Sequence, residues 1–82
     1  MRNEEKIKEK LKKLKEKNIE KYNFAISTLL DTEKEILQLK FGLIDNKEYT
    51  FEEISKRIMP NRPIMKERIR QIFEKALRKV EL

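Results

Sequence analysis

Thr50-Phe51-Glu52-Glu53-Ile54, followed after a proline-containing break by Lys66-Glu67-Arg68-Ile69-Arg70-Gln71-Ile72-Phe73-Glu74-Lys75-Ala76-Leu77-Arg78-Lys79, decides the fold of this 82-residue chain. Thr50 and Glu53 have capping-box spacing, and Tyr49 and Ile54 are placed for a hydrophobic staple around that cap. The helix they open carries Phe51, Ile54 and Ile58 and must stop before Pro60. Pro60-Asn61-Arg62-Pro63 reads as a turn, and Pro63 suits the first turn of a new helix. In that helix Met65, Ile69, Ile72, Phe73, Ala76, Leu77 and Val80 recur at helical spacing, which predicts a core face. Lys66, Glu67, Arg70, Gln71, Glu74 and Arg78 fall on the other face. Arg and Gln are base-reading types and Glu can accept from cytosine, yet a solvated helix shows charges in the same places. Two helices of about 9 and 16–18 residues, the second basic, joined by a short turn, make a helix-turn-helix arrangement.

Upstream, Ile36, Leu37 and Leu39 predict a helix that starts at Asp31-Thr32, with Thr32 and Glu35 at capping-box spacing, and ends at Phe41. Gly42, the only glycine, falls where a left-handed cap residue is needed, with Leu43 able to fold back on the last turn. Asp45-Asn46-Lys47 is a turn. Tyr22, Ala25, Ile26, Leu29 and Leu30 predict a core helix ending near Leu30. Residues 3–18 alternate Lys and Glu around Ile7, Leu11 and Leu14, a narrow stripe too short for a convincing coiled coil. This segment is expected to fray unless it docks, and residues 1–15 are expected to be exchange-labile and dispensable for folding. The organisation expected is therefore all-α: a charged N-terminal helix or linker over 1–21, then a small helical bundle over 22–82 ending in the helix-turn-helix.

Charge is concentrated at the two ends. Residues 1–18 hold eight Lys/Arg against four Glu, residues 19–58 six basic against eight acidic, and residues 59–82 seven basic against three Glu. A basic C-terminal segment is a nucleic-acid footprint, although it is equally the mark of a solvated helix face. The chain has neither Cys nor His. That excludes disulfides, Cys/His zinc sites and Ser-His or Cys-His nucleophiles, and with no Gly-rich phosphate loop it points away from an enzyme, a cofactor or a small-molecule substrate. No apolar run approaches the roughly 20 residues of a membrane span. Met1-Arg2-Asn3-Glu4-Glu5 carries charge where a signal peptide is apolar, so a cytoplasmic protein without membrane contacts is expected.

Four blocks carry a resemblance: Leu37-Gln38-Leu39-Lys40-Phe41-Gly42-Leu43, Tyr49-Thr50-Phe51-Glu52-Glu53-Ile54, Lys66-Glu67-Arg68-Ile69-Arg70-Gln71-Ile72, and Lys75-Ala76-Leu77-Arg78-Lys79. In order and near spacing they resemble region 4 of bacterial primary-type sigma factors, over about residues 22–80. The resemblance implies binding of double-stranded promoter DNA at the −35 element through the major groove. It also implies docking on the RNA polymerase β-subunit flap through apolar residues of the first helices. Carried over by position, Lys66, Glu67, Arg70 and Gln71 are base contacts, and Lys40, Thr50, Arg68 and Lys75 are phosphate contacts. Arg78 and Lys79 match positions that face activators. An anti-sigma factor, an activator or a second sigma-like subunit are further partners it suggests, in a bacterial or phage setting. Two departures stand out. Met59 to Met65 makes a longer turn than the family pattern, and Lys66 replaces the first Arg of its R-E-R run, where Lys cannot make the bidentate contact to guanine. Phe73 also replaces a usually acidic position.

Two other readings stay open at this level. One is a free-standing dimeric helix-turn-helix regulator reading a palindrome, distinguished by its mass in solution. The other is a polymerase or anti-sigma interaction module that has kept the fold and lost DNA readout. A fragment of a full sigma factor and a stand-alone region 4-like protein are likewise both open, Met1 tilting toward a natural start.

Overall fold

The turn chemistry read from the sequence is realised most fully at Gly42-Leu43 and at Thr50 with Glu53. The computed structural model describes residues 4–58 and 66–80. Five helices follow in order: α1 (Glu4–Lys17), α2 (Ile19–Ile26), α3 (Asp31–Lys40), α4 (Phe51–Ile58) and α5 (Lys66–Lys79). No strand occurs among the described residues, and the all-α expectation holds. The expected turn at Pro60–Pro63, the start of the last helix at Pro63 and the core role of Met65 lie outside the described residues.

α3 ends as its sequence demands. Gly42 adopts φ +68, the Leu43 N–H donates to the Gln38 carbonyl at 2.8 Å, and the Gly42 N–H donates to the Leu39 carbonyl at 3.4 Å. This is a Schellman closure, which leaves Leu43 folded back into the core. The loop then turns at Asn46 (φ 63), where the Lys47 N–H donates to Asp45 Oδ1 at 3.2 Å. It is tied back to α3 by the Tyr49 N–H, which donates to the Leu39 carbonyl at 3.1 Å. The predicted capping box opens α4: Thr50 Oγ1 accepts the Glu53 N–H at 3.1 Å and Glu53 Oε1 accepts the Thr50 N–H at 2.9 Å. The staple residues Tyr49 and Ile54 are both buried.

Three expectations are corrected. α2 ends at Ile26, not near Leu30, because the Ser27 N–H and hydroxyl both donate to the Phe24 carbonyl, at 3.2 and 2.7 Å, and close the helix early. Leu30 is therefore not a core residue; it is 65% exposed and caps α3 in an extended conformation. The cap of α3 pairs Leu30 with Glu33 and not Thr32 with Glu35: Glu33 Oε1 accepts the Leu30 N–H at 3.0 Å. Leu30 has no side-chain acceptor to reciprocate, so this is half a capping box. Third, Ile72 is only half-buried, at the edge of the α5 stripe.

The core gathers Ile36, Leu37 and Leu39 of α3, Ile54 of α4, and Ile69, Phe73, Ala76 and Leu77 of α5, with Val80 just beyond. Three rings meet within it. Phe41 meets Phe73 edge-on with centroids 5.3 Å apart, and Phe51 tilts against Phe73 at 5.5 Å. Phe73, buried on its own helix, thus fixes α5 against both the end of α3 and the start of α4.

α1 is joined to α2 through Asn18 alone, whose Oδ1 accepts the Lys21 N–H at 3.1 Å and starts α2. α2 spans 19–26, across the position between the two segments read from the sequence. α1 is not a bare charged rod. Leu11 is wholly buried in the core cluster, and Ile7 and Leu14 pack against it. Lys8 Nζ reaches Glu48 at 3.3 Å and Lys12 Nζ reaches it at 3.9 Å, pinning α1 to the loop before α4. Against this burial the expectation of a dispensable N-terminal segment becomes a measurable question.

Candidate nucleic-acid interface

α5 is anchored by one face and free on the other. Ile69, Phe73, Ala76, Leu77 and Val80 are at most 1% exposed, while Lys66, Glu67, Arg68, Arg70, Gln71, Lys75 and Arg78 are all exposed. Because the helix repeats every 3.6 residues, burying one stripe forces the opposite stripe outward as a set. Arg68, Arg70, Gln71, Lys75 and Arg78, with Glu74, line one shallow polar groove along the helix. Two of the expected base contacts and two of the expected phosphate contacts thus share a single surface.

The remaining expected residues are distributed around it. Lys66 and Glu67 stand in the first turn of α5 as described. Glu67 and Arg70 form an ion pair, with Arg70 Nε donating to Glu67 Oε1 at 2.8 Å and Nη2 donating to the same oxygen. That contact holds the Glu67 carboxyl below its usual range and raises the Arg70 guanidinium above its own. The pair sets the guanidinium plane before any ligand arrives, which spacing alone did not indicate. Lys40 Nζ lies 4.7 Å from the centre of the Phe51 ring, a cation–π contact that fixes it beside the α4 N-terminus. Thr50 Oγ1 is occupied as an acceptor by the cap, and its O–H remains a donor. Lys40 and Thr50 thus sit together where α3 ends and α4 begins.

Lys79 behaves differently from its neighbour Arg78. Its Nζ donates to Glu33 Oε1 at 2.8 Å, across the bundle from α5 to α3, while Arg78 is exposed on the groove. Burial pushes the Glu33 carboxyl up, but Lys79 and the Leu30 N–H outweigh it and hold the carboxyl below its ordinary value. Sequence reading also passed over Arg57. Its Nη1 donates to the Tyr49 hydroxyl at 3.3 Å and its guanidinium lies 5.3 Å from that ring. The hydroxyl in turn donates to Asp45 Oδ2 at 2.6 Å, which holds Asp45 down and raises Tyr49. Arg57 is a cation preset on the first helix of the motif, and no local pattern links it to Tyr49, eight residues before it.

A buried stripe that fixes a basic helix, a capped partner helix packed on it through aromatic rings, and a polar outer face define a helix-turn-helix DNA-binding domain. The family model for sigma-70, region 4 matches residues 25–81, and the chain belongs to that family. RNA polymerase sigma factor SigA of Lactococcus lactis subsp. cremoris is 36% identical over 61 residues. The match covers 74% of this chain and 16% of that relative, so the chain spans a small part of the protein it is similar to. No solved structure matches the chain. Among the described residues, no helix is long and apolar enough to cross a membrane, and no cluster of acidic side chains could hold a metal ion.

Proposed function

We propose that this domain binds the −35 element of promoters during transcription initiation, with α5 in the major groove. The observation that carries the reading is the division of α5 into a wholly buried apolar stripe and a polar groove of Arg68, Arg70, Gln71, Lys75 and Arg78. A recognition helix needs both: a rigid seat, and donors that reach base edges and phosphates. Lys66, Glu67, Arg70 and Gln71 read bases. Arg68 and Lys75 hold phosphates at the helix edges, and Lys40 and Thr50 hold them at the start of α4. Arg78 and Lys79 stand at the far end of the helix for an activator, Lys79 while also paired with Glu33.

The same reading gives the domain a second contact, the β flap of RNA polymerase, which would keep it in the cytoplasm with the enzyme. It is supported by Phe24 and Leu30, which are 82% and 65% exposed where α2 gives way to α3. Large apolar side chains so exposed favour a protein partner. The DNA test is binding of the 82-residue chain to a randomised duplex library. Gln71→Ala or Arg70→Ala is expected to weaken the preferred site by about 1–3 kcal/mol and relax the preference. Arg68→Ala is expected to weaken all sequences alike and shallow the salt slope by about one unit. Equal loss on every sequence for the Arg70 and Gln71 variants sinks base reading and favours a pure interaction module.

A further inference from the structure

α1 carries a surface that the promoter-reading role of α5 does not use. Lys6, Lys10, Lys13 and Lys17 recur at i, i+4, i+7 and i+11, one face of a helix, over roughly 16 Å of its axis. Lys10, Lys13 and Lys17 are exposed, and none of the three makes an ion pair among the described residues. Their stems and Leu14 line a shallow hollow. Lys8 and Lys12 lie on another edge of α1 and are paired there, Lys8 with Glu5 and Glu48, and Lys12 with Glu48.

This segregation has a cost. A helix built for solubility interleaves Glu and Lys at i, i+4, where opposite charges attract. Here Lys6–Lys10 and Lys13–Lys17 are like-charged at i, i+4 and Lys10–Lys13 at i, i+3, so neighbours on this face repel. Glu9, four residues before Lys13, makes no ion pair with it. The surface is complementary to a regular row of negative charges. Duplex DNA supplies one per about 1.7 Å of axis. It is also the polyanion that α5 brings to the domain, whose longest dimension is 37 Å, close to one turn of DNA at roughly 34 Å.

The geometry points to a second DNA contact: the lysine face of α1 grips the phosphate backbone of the duplex flanking the site read by α5, without reading sequence. Lysine suits this role, since its ammonium is a point charge with no bidentate preference. The inference rests on the DNA-binding reading of the domain, but its signature is separate, because phosphate contacts move affinity and salt dependence and leave sequence preference alone.

The experiment measures binding of the 82-residue chain to a mixed-sequence duplex of about four helical turns, as a function of salt. K10Q/K13Q/K17Q is compared with the parent and with K10R/K13R/K17R. The expected result for the Gln variant is a salt slope shallower by about two to three, at about 0.9 per lost phosphate contact. Its ratio of preferred to scrambled sites should stay at the parental value, and the Arg variant should restore the slope. A parental slope in the Gln variant overturns the proposal while leaving α5 readout standing. A slope unchanged on duplex but shallower on single-stranded RNA, or on an acidic polypeptide, overturns it in favour of that ligand. Loss of preference in the Arg70 and Gln71 variants with the α1 effect intact marks failure of neither, and a parent that binds no DNA overturns both.

Discussion

α1 and α5 are each 14 residues long as described, and the segments that hold them each carry four more basic than acidic residues, yet they are held to the protein in opposite ways. α5 commits a full stripe of five side chains to the core when Val80 is included. α1 commits Leu11 alone in full, with Ile7 and Leu14 partly covered, and adds surface ion pairs to Glu48. Surface ion pairs contribute little, typically below about 1 kcal/mol, so Leu11 carries most of the attachment of α1. The polar faces differ as well. α5 mixes Arg, Gln and Glu, the side chains of base recognition, whereas the exposed face of α1 at Lys10, Lys13 and Lys17 is uniformly Lys. In the proposed roles, equal charge does not mean equal function: rigid seating with mixed donors suits reading, and lighter seating with uniform charge suits gripping.

The largest effect expected is at the seat of α5. Phe73→Ala removes the ring that touches both Phe41 and Phe51, at a cost of about 3–5 kcal/mol. That approaches the total stability of so small a domain, so the variant should be mostly unfolded by circular dichroism. Ile72→Ala, one residue away, would match it were the whole helix sequestered. Its half-burial lowers the expected cost to about 1–2 kcal/mol, below the fully buried range. Equal melting curves for the two variants would remove the asymmetry of faces on which the interface depends.

The next test falls on α1. Leu11→Ala should cost about 2–4 kcal/mol if the helix is integral to the core. A chemical melt that matches the parent's, together with unprotected amides over 4–17 in hydrogen exchange, would return α1 to the status of a dispensable extension.

The smallest effect concerns the tie between α5 and α3. The Glu33 carboxyl is held below its ordinary value of 4.5 in the folded protein. A carboxyl lowered by folding contributes stability that is fully present above its unfolded value and is lost as pH falls through the folded one. Glu33→Gln should therefore cost about 1–2 kcal/mol at pH 7, and the gap between variant and parent should close as pH drops below 4.5. Asp45, Glu53 and Glu67 are lowered too, through Tyr49, the Thr50 N–H and Arg70, so both proteins weaken in acid. A pH-independent gap would mean that Lys79 does not stabilise the ionised carboxylate.

What was legible in the sequence was whatever lies within a helical turn or two of itself. The 3.6-residue repeat of Ile69, Phe73, Ala76, Leu77 and Val80 announces which face of α5 is covered, because backbone geometry alone places those side chains together. Thr50 with Glu53, and Gly42 with Leu43, announce a helix start and a helix end, since each satisfies backbone groups three to five residues away. The polar face of α5 was legible as the complement of its core. Only the tertiary structure decided that Leu11 is buried, that Lys8 meets Glu48 across 40 residues and that Lys79 meets Glu33 across 46. It also decided that Leu30 is left in solvent as a cap, because the turn after Ile26 swings it off the α2 face. Those outcomes depend on how helices distant in sequence pack, and no periodicity within one helix encodes the identity of the neighbour that will lie against it.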